Sequence, residues 1–417
     1  MIRILRFFWL LVLACVTSGI CAAWPLPHQV YVWQRAWTPP VSEAMAEHAT
    51  NFAETAVLLA EVSWKDKIPQ ITRADVDFTA LAKTHCAVGL VLRVGPFNGE
   101  LATNPPAVNF LANLAASLVA EARKKQIEPV ELQIDFDCAT AKLDDYRAWL
   151  AVVQKSVAPL PVTITALPSW LESPAFLPLA AAATNYVLQV HSLTKPENIN
   201  TPFLLCDPAV AKRAVARAGE IGVPFRVALP TYTYIVAFND TGKFIGLTAE
   251  APRSEWPSGT QLRDMSADPL VMGALVQFWN TNRPAAMRGV IWYRLPVAAD
   301  NLNWRWPTLG AIVAGREPRE SFHAVARRVE AGLVEISLVN DGELDISSRL
   351  AIEVRWSDAR LAAGDGLRGF ELAEQNASAA KFQNQSSQFR LPAGEKQIIG
   401  WLRFDKDREV QIEVKKF

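Results

Sequence analysis

The residues best suited to chemistry are concentrated in the run Leu132-Gln133-Ile134-Asp135-Phe136-Asp137. In an extended chain alternate side chains face opposite sides. Leu132, Ile134 and Phe136 then make an apolar face, and Gln133, Asp135 and Asp137 make a polar one. Two carboxylates on one enclosed face repel each other and lose solvent. Both effects raise a carboxyl pKa, which is what a proton donor near neutral pH requires. The same pair also has a structural reading, in which it accepts hydrogen bonds from loop amides or pairs with Arg93.

Other segments carry groups that become useful only if the fold brings them together. In residues 186–191, Gln189 and His191 share one face and Leu188 and Val190 the other. Arg93 closes an apolar run, and Glu61 sits in Leu59-Ala60-Glu61-Val62. In residues 289–295, Trp292 and Arg294 share a face opposite Tyr293. Trp33, Arg35, Trp37, Trp64, Trp170, Tyr232, Tyr234, Trp304 and Trp306 follow the ends of such runs. Flat rings around an acidic cup suit a pyranose, which stacks its C–H face on indole and offers hydroxyls to Asp, Arg and Gln. The same rings serve equally as packing. The long segment 235–261 holds Asn239-Asp240-Thr241-Gly242, Glu250 and Glu255-Trp256. Glu250 is the candidate for a second carboxylate across the cup, with Glu255 its competitor. The candidate catalytic set is therefore Asp137, Asp135 and Glu250. The candidate substrate-binding set is Gln133, Arg35, Trp33, Arg93, Gln189, His191, Trp170, Tyr232, Trp292 and Arg294.

Convergence depends on the elements. Eight short apolar runs rich in β-branched and aromatic residues occur at 29–37, 57–64, 87–94, 130–137, 162–167, 186–191, 225–232 and 289–295. Segments with helical spacing separate most of them, at 42–55, 73–84, 105–125, 143–157, 207–221 and 268–282. Asp207-Pro208 and Asp268-Pro269 read as an N-cap followed by proline, and Gly222 as a helix stop. Strand alternating with helix implies parallel strands with crossover helices. Eight units are the count of a (β/α)₈ barrel, whose strand C-termini open into one cup. An open doubly wound sheet is the alternative, but no Gly-rich phosphate loop follows the first strand.

The pattern changes near Arg319. Runs 333–339, 350–356, 388–391, 397–404 and 409–414 alternate apolar and polar residues, with Asn340-Asp341-Gly342 as a tight turn and 376–387 as a polar loop. The expected organisation is a signal peptide at 1–23, a barrel at 24–318 and a small antiparallel β-sandwich at 319–417. Arg3 and Arg6, the apolar run 7–16 and Cys21-Ala22-Ala23 have the layout of a cleaved export signal. The mature chain is then periplasmic or secreted, with no integral membrane span. The weak lipobox Val12-Leu13-Ala14-Cys15 makes a lipid anchor the minor alternative.

Lys+Arg and Asp+Glu are both 42, so there is no cationic excess and nucleic acid is not the expected partner. Cys86, Cys138 and Cys206 are widely spaced, without metal-ligand or disulfide-framework pattern. No Walker loop, HExxH or dinucleotide turn is present, so no cofactor and no metal are expected.

Five runs together resemble an uncharacterised bacterial family, the domain of unknown function numbered 3142. They are Tyr31-Val32-Trp33-Gln34-Arg35-Ala36-Trp37, Leu132 to Cys138 with Tyr146 and Trp149 behind it, Ala166-Leu167-Pro168-Ser169-Trp170-Leu171, Leu188-Gln189-Val190-His191 and Trp292-Tyr293-Arg294-Leu295-Pro296. That resemblance implies a fold and no activity. The row Gln133, Asp135, Asp137 is also similar, more weakly, to family 18 glycoside hydrolases, in which acids spaced by two along the fourth strand end in a catalytic Glu. The resemblance implies Asp137 in the acid's place and Asp135 as its support. The departures are Asp for Glu at the end, one methylene shorter, and Gln133 where the first acid stands. Three readings follow: a glycoside-hydrolase-like enzyme acting on an envelope or environmental glycan, with an oligo- or polysaccharide substrate; a non-catalytic glycan-binding protein; and an envelope assembly protein using the β-sandwich.

Overall fold

The computed structural model describes residues 25–192, 194–249, 256–384 and 389–417. The expected export segment, Glu250 and Glu255 lie outside them. The chain passes through β1 (His28–Val32), β2 (Glu54–Lys65), β3 (Ile68–Arg73), β4 (Val88–Val94), β5 (Glu131–Phe136) and β6 (Val162–Ala166). It continues through β7 (Tyr186–Gln189), β8 (Phe225–Pro230), β9 (Thr233–Phe238), β10 (Phe244–Thr248), β11 (Gln261–Ser266) and β12 (Met287–Tyr293). Strands β1, β2, β4, β5, β6, β7, β8 and β12 pair side by side in parallel, and β1 closes the ring by pairing with both β12 and β2. This is the expected (β/α)₈ barrel.

The crossover helices are α1 (Pro39–His48), α2 (Phe78–Lys83), α3 (Pro105–Lys124), α4 (Leu143–Val157), α5 (Phe176–Ala183), α6 (Pro208–Ile221), α7 (Pro269–Asn282) and α8 (Trp306–Val313). Asp207 and Asp268 cap α6 and α7, each accepting two backbone N–H bonds at 2.8–3.2 Å. Gly222 ends α6 at φ +80°, a conformation that suits glycine.

The outward row of β5 explains the register. Leu132, Ile134 and Phe136 are buried against α4, where Phe136 meets Tyr146 and Trp149 at ring distances of 5.1 and 5.5 Å. Burying that face commits Glu131, Gln133 and Asp135 to the interior, because the side-chain period of a strand is two.

At the N-terminal end of the interior lies a buried ionic cluster. Arg226 on β8 donates to both oxygens of Glu131 at 2.7 and 2.9 Å and to Gln29 Oε1 at 2.7 Å. Thr163 and Gln133 donate to the same Glu131 at 2.6 and 2.5 Å. Glu54 faces Arg226 at 3.4 Å. Gly89 leaves room for it, since a Cβ there would fall 2.4 Å from Glu54 Oε1. One guanidinium cannot neutralise two buried carboxylates. Burial, and next the neighbouring Glu131, push the Glu54 carboxyl up to about 8, while Arg226 and its hydrogen-bond partners hold Glu131 low despite burial.

Several local readings need correction. The segment 235–261 contributes to an antiparallel sheet of β10, β9 and β11, around Phe203, Val236, Phe238 and Met265. Strand β3 doubles back on the end of β2. Helices α5 and α8 were missed because they are short and largely apolar, and so show no clear stripe.

The C-terminal part has more strands than the alternation predicts. One sheet orders β13 (Phe322–Glu330), β14 (Leu333–Asn340), β19 (Lys396–Phe404) and β16 (Leu361–Gly366). The other orders β17 (Phe370–Gln375), β18 (Ala379–Asn384), β15 (Leu350–Arg355) and β20 (Gln411–Lys416). Residues from both sheets, including Ile336, Ile352, Phe382 and Leu402, form one hydrophobic core. Strand β18 occupies much of the expected polar loop 376–387. Of the expected strand at 388–391, residue 388 lies outside the described residues, and the rest makes an isolated bridge between Leu391 and Ile346. Asn340 does turn the chain, accepting from Gly342 N at 3.1 Å, but the next strand begins only at Leu350.

The buried cluster generates a prediction. Glu54 has a higher pKa in the folded chain than its ordinary 4.5. Between about pH 4.5 and 8 the folded protein therefore holds a proton that the unfolded chain has released. Stability from this group is complete below 4.5 and is lost as pH rises towards 8, by on the order of 5 kcal/mol. Glu54→Gln should flatten that decline, so that denaturant midpoints at pH 5 and 8 differ less than in wild type. Parallel pH profiles for the two proteins would show that Glu54 is ionised throughout.

Candidate functional site

Cross-strand register assembles the site. Arg93 on β4 lies opposite Asp135 on β5, and Glu61 on β2 lies opposite Arg93. Three adjacent strands thus present acid, base and acid at one level of the interior. Glu61 reaches that level because the β2–β4 register slips between Leu58 and Ala60. Without the bulge, the inward row Glu54, Ala56, Leu58 would continue at Ala60. On the other side of β5, Thr165 on β6 donates to Asp135 Oδ1 at 2.8 Å. Asp137 stands one residue past the end of β5, at the mouth.

Except for Glu61, the polar groups at this level and at the mouth border a cavity of about 230 Å³ at the C-terminal end of the barrel strands. Asp135, Asp137, Arg93 and Thr165 form its polar side, and Trp33, Tyr31, Tyr232, Tyr293, His191 and Gln189 much of the rest. The rings brace one another: Trp33 meets Tyr293 at 5.0 Å and Tyr31 at 5.5 Å, both edge to face. Tyr232 lies edge to face on Tyr293 at 5.5 Å.

The electrostatics are uneven. Asp135, whose side chain is 13% exposed, has its carboxyl pushed up to about 6, first by burial and then by Asp137. Arg93 and the Thr165 hydroxyl oppose that rise. Burial also raises Asp137, again against Arg93. The two acids behave as a pair that retains a proton. Burial works against the charge on Arg93, but Asp135, Tyr293, Glu61 and Asp137 outweigh it and keep the cation. His191 is pushed down to about 3 by burial, so it is a neutral ring in hydrogen-bond contact with Tyr232 at 3.3 Å. It orients aromatic groups and is not equipped to carry a charge.

Of the residues singled out from sequence, Asp135, Asp137, Arg93, Trp33, Gln189, His191, Tyr232 and Tyr234 meet at this cavity. Gln133 points inward one level lower, with Tyr31 Oη donating to it at 2.8 Å and closing it off. Arg35 sits at the rim on Glu61, at 2.8 Å. Trp170 faces outward beside Tyr146, its indole N–H donating to Cys138 O at 3.2 Å. Trp292 also faces the helices, donating to His28 Nδ1 at 3.0 Å, and its neighbour Tyr293 holds the cavity position. The face assigned to Trp292 and Arg294 was therefore the wrong one. Arg294, past the strand end, pairs with Asp300. Trp64, Trp304 and Trp306 pack against Phe97, Trp292 and His48.

Sequence reasoning missed Tyr31, Thr165 and Tyr293. Two-residue spacing from buried Ile291 would have found Tyr293, as spacing from Thr163 would have found Thr165. Among the described residues, no three His, Cys, Asp or Glu side chains are grouped to hold a metal. No helix among them is long and apolar enough to cross a membrane.

The barrel fold is shared with the spore cortex-lytic enzyme SleL of Bacillus megaterium QM B1551, at 13% identity and TM-score 0.50 over 70% of this chain and 74% of that one. A chitinase from Chromobacterium violaceum ATCC 12472 is similar at 15% identity and TM-score 0.49, over 70% of this chain and 98% of that one. No curated protein matches the sequence. The model of the Domain of unknown function (DUF8456) matches residues 323–405. The model of the Domain of unknown function (DUF3142) matches residues 90–298, from within β4 to just beyond β12 and just over half of the chain, and the chain belongs to that family.

Proposed function

We propose that the cavity binds a carbohydrate and that Asp137 acts as general acid on a glycosidic bond. The observation that carries this reading is the Asp135–Asp137 pair, with raised pKa values and Arg93 beside it, at the aromatic-lined mouth of the barrel. In this account Asp137 gives its proton to the bridging oxygen as the C1–O bond breaks. The departing sugar leaves as a neutral alcohol, and Asp135 raises the proton affinity of Asp137 while steadying the cationic sugar. A water or carboxylate then attacks C1. Glu250 is the proposed base or nucleophile for that step. The fold, shared with SleL at low identity, is compatible with this assignment and does not by itself support it. A cavity of this size takes about one sugar ring. With residues 1–23 read as an export signal, the substrate is an envelope or environmental glycan outside the cytoplasm.

One observation favours a second reading. Among the described residues, the acids lining the cavity both come from the end of one strand, with none facing them. A glycan receptor without turnover would look like this.

Asp137→Asn separates the two readings. In a polysaccharide screen scored by release of reducing ends, the enzyme reading predicts a fall in kcat of about 10²–10⁴ with Kd changed only a few-fold. Equal turnover in both proteins removes Asp137 from the mechanism. Binding without turnover in both supports the receptor reading.

The pH profile carries its own sign. A general acid must be protonated, and burial raises the Asp137 carboxyl above its ordinary value. Activity should therefore fall as pH rises, with a midpoint above the ordinary aspartate range. In Asp135→Asn the like charge is gone, so the descending limb should move to lower pH. A descending limb that stays in place would show that the pair is not coupled.

A further inference from the structure

Arg93 lines the cavity with its donors uncommitted. Its side chain is 44% exposed. The nearest acidic oxygens, Asp135 Oδ2 and Glu61 Oε1, are 3.7 and 3.8 Å away, beyond the roughly 2.7–2.9 Å of a charge-assisted hydrogen bond. No described residue accepts a hydrogen bond from Arg93. Both acids make their short contacts elsewhere. Glu61 Oε2 is taken by Arg35 at 2.8 Å, and Asp135 Oδ1 by Thr165 at 2.8 Å. Glu61 Oε1, the oxygen that faces Arg93, is buried without a hydrogen-bond partner. Charge on two sides holds the guanidinium in place, yet its fork of N–H groups is left for whatever enters the cavity.

We infer that Arg93 binds the carboxylate of an acidic sugar, so that the preferred glycan contains uronic acid units. This rests on the carbohydrate reading above and adds the substrate class. Two parallel N–H groups match the two oxygens of a carboxylate, whereas a sugar hydroxyl uses one. A neutral ring entering the cavity would strip water from this cation and return no matching charge, an unfavourable exchange. An incoming carboxylate is not repelled by the site as a whole. Arg35 and Arg93 face Glu61, Asp135 and Asp137, and the proton retained by the acid pair leaves the group near neutrality.

The test compares galacturonate and glucuronate oligosaccharides with the same oligosaccharides after reduction of each carboxyl to a primary alcohol, with binding measured by calorimetry at pH 5.5. Wild type should bind at least one acidic form tenfold or more tightly than its reduced counterpart. In Arg93→Gln that ratio should collapse to within about twofold. Arg93→Lys, which keeps the charge without the fork, should give an intermediate ratio, and it decides the matter if the Gln variant does not fold. Equal binding of acidic and reduced forms by wild type overturns the acidic-sugar inference and leaves the carbohydrate reading standing. Binding of neutral polysaccharides alone does the same. Failure to bind any glycan overturns both.

Discussion

A charged side chain inside a closed barrel has little water around it, so each one depends on the residues beside it on neighbouring strands. Strand β5 carries that constraint furthest. Packing of Leu132, Ile134 and Phe136 against the helices leaves Glu131, Gln133 and Asp135 no direction but inward, with Asp137 following at the rim. The acids at the lower level are answered by Arg226, whose Nη2 donates to both oxygens of Glu131. Those at the upper level are answered by Arg93, which approaches but does not grip. The two levels therefore differ in kind. The lower is closed and ties β2, β5 and β8 together through Glu54, Glu131 and Arg226, although Glu54 Oε1 and Arg226 Nε are buried without a hydrogen-bond partner. Both carry a strained carboxyl, but only the upper is open.

That difference is the link from fold to function. A buried ion pair offers no access to a ligand. A site with a raised carboxyl pair, an ungripped guanidinium and a wall of braced rings around an open cavity does. Raised carboxyl pKa values mean that the folded state works against its own preference at neutral pH, the kind of strain often concentrated where a protein does chemistry. His191, although at the same cavity, is held neutral by burial and contributes shape and hydrogen bonding.

Much of this was legible in the sequence, for reasons that can be named. Parity along a strand placed Asp135 inside, because the apolar partner row is unbroken. Asp-Pro pairs and Gly222 marked helix ends by local chemistry that tertiary structure had no reason to override. The failures have equally definite causes. Parity in β12 was assigned from the chemical appeal of Trp292 and Arg294, whereas Ile291 packs inside and takes Tyr293 with it. The inward turn of Glu61 depends on a bulge whose register no local pattern reveals. Trp170 was read as a ligand platform because it follows a strand, but its ring lies under α4. The lower cluster went unnoticed because Glu131, Glu54 and Arg226 come from distant parts of the chain, although Glu131 shares its two-residue spacing with Asp135.

The account turns on the acid pair retaining a proton that isolated aspartates would lose. Carboxyl carbon NMR of selectively labelled Asp135 and Asp137, titrated from pH 3 to 8, reads this directly. Coupled transitions, at least one of them centred near pH 6, with the Asp135 transition moving down when Asp137 becomes Asn, are the predicted result. Two independent transitions at or below about pH 4, each indifferent to loss of the other, would contradict it.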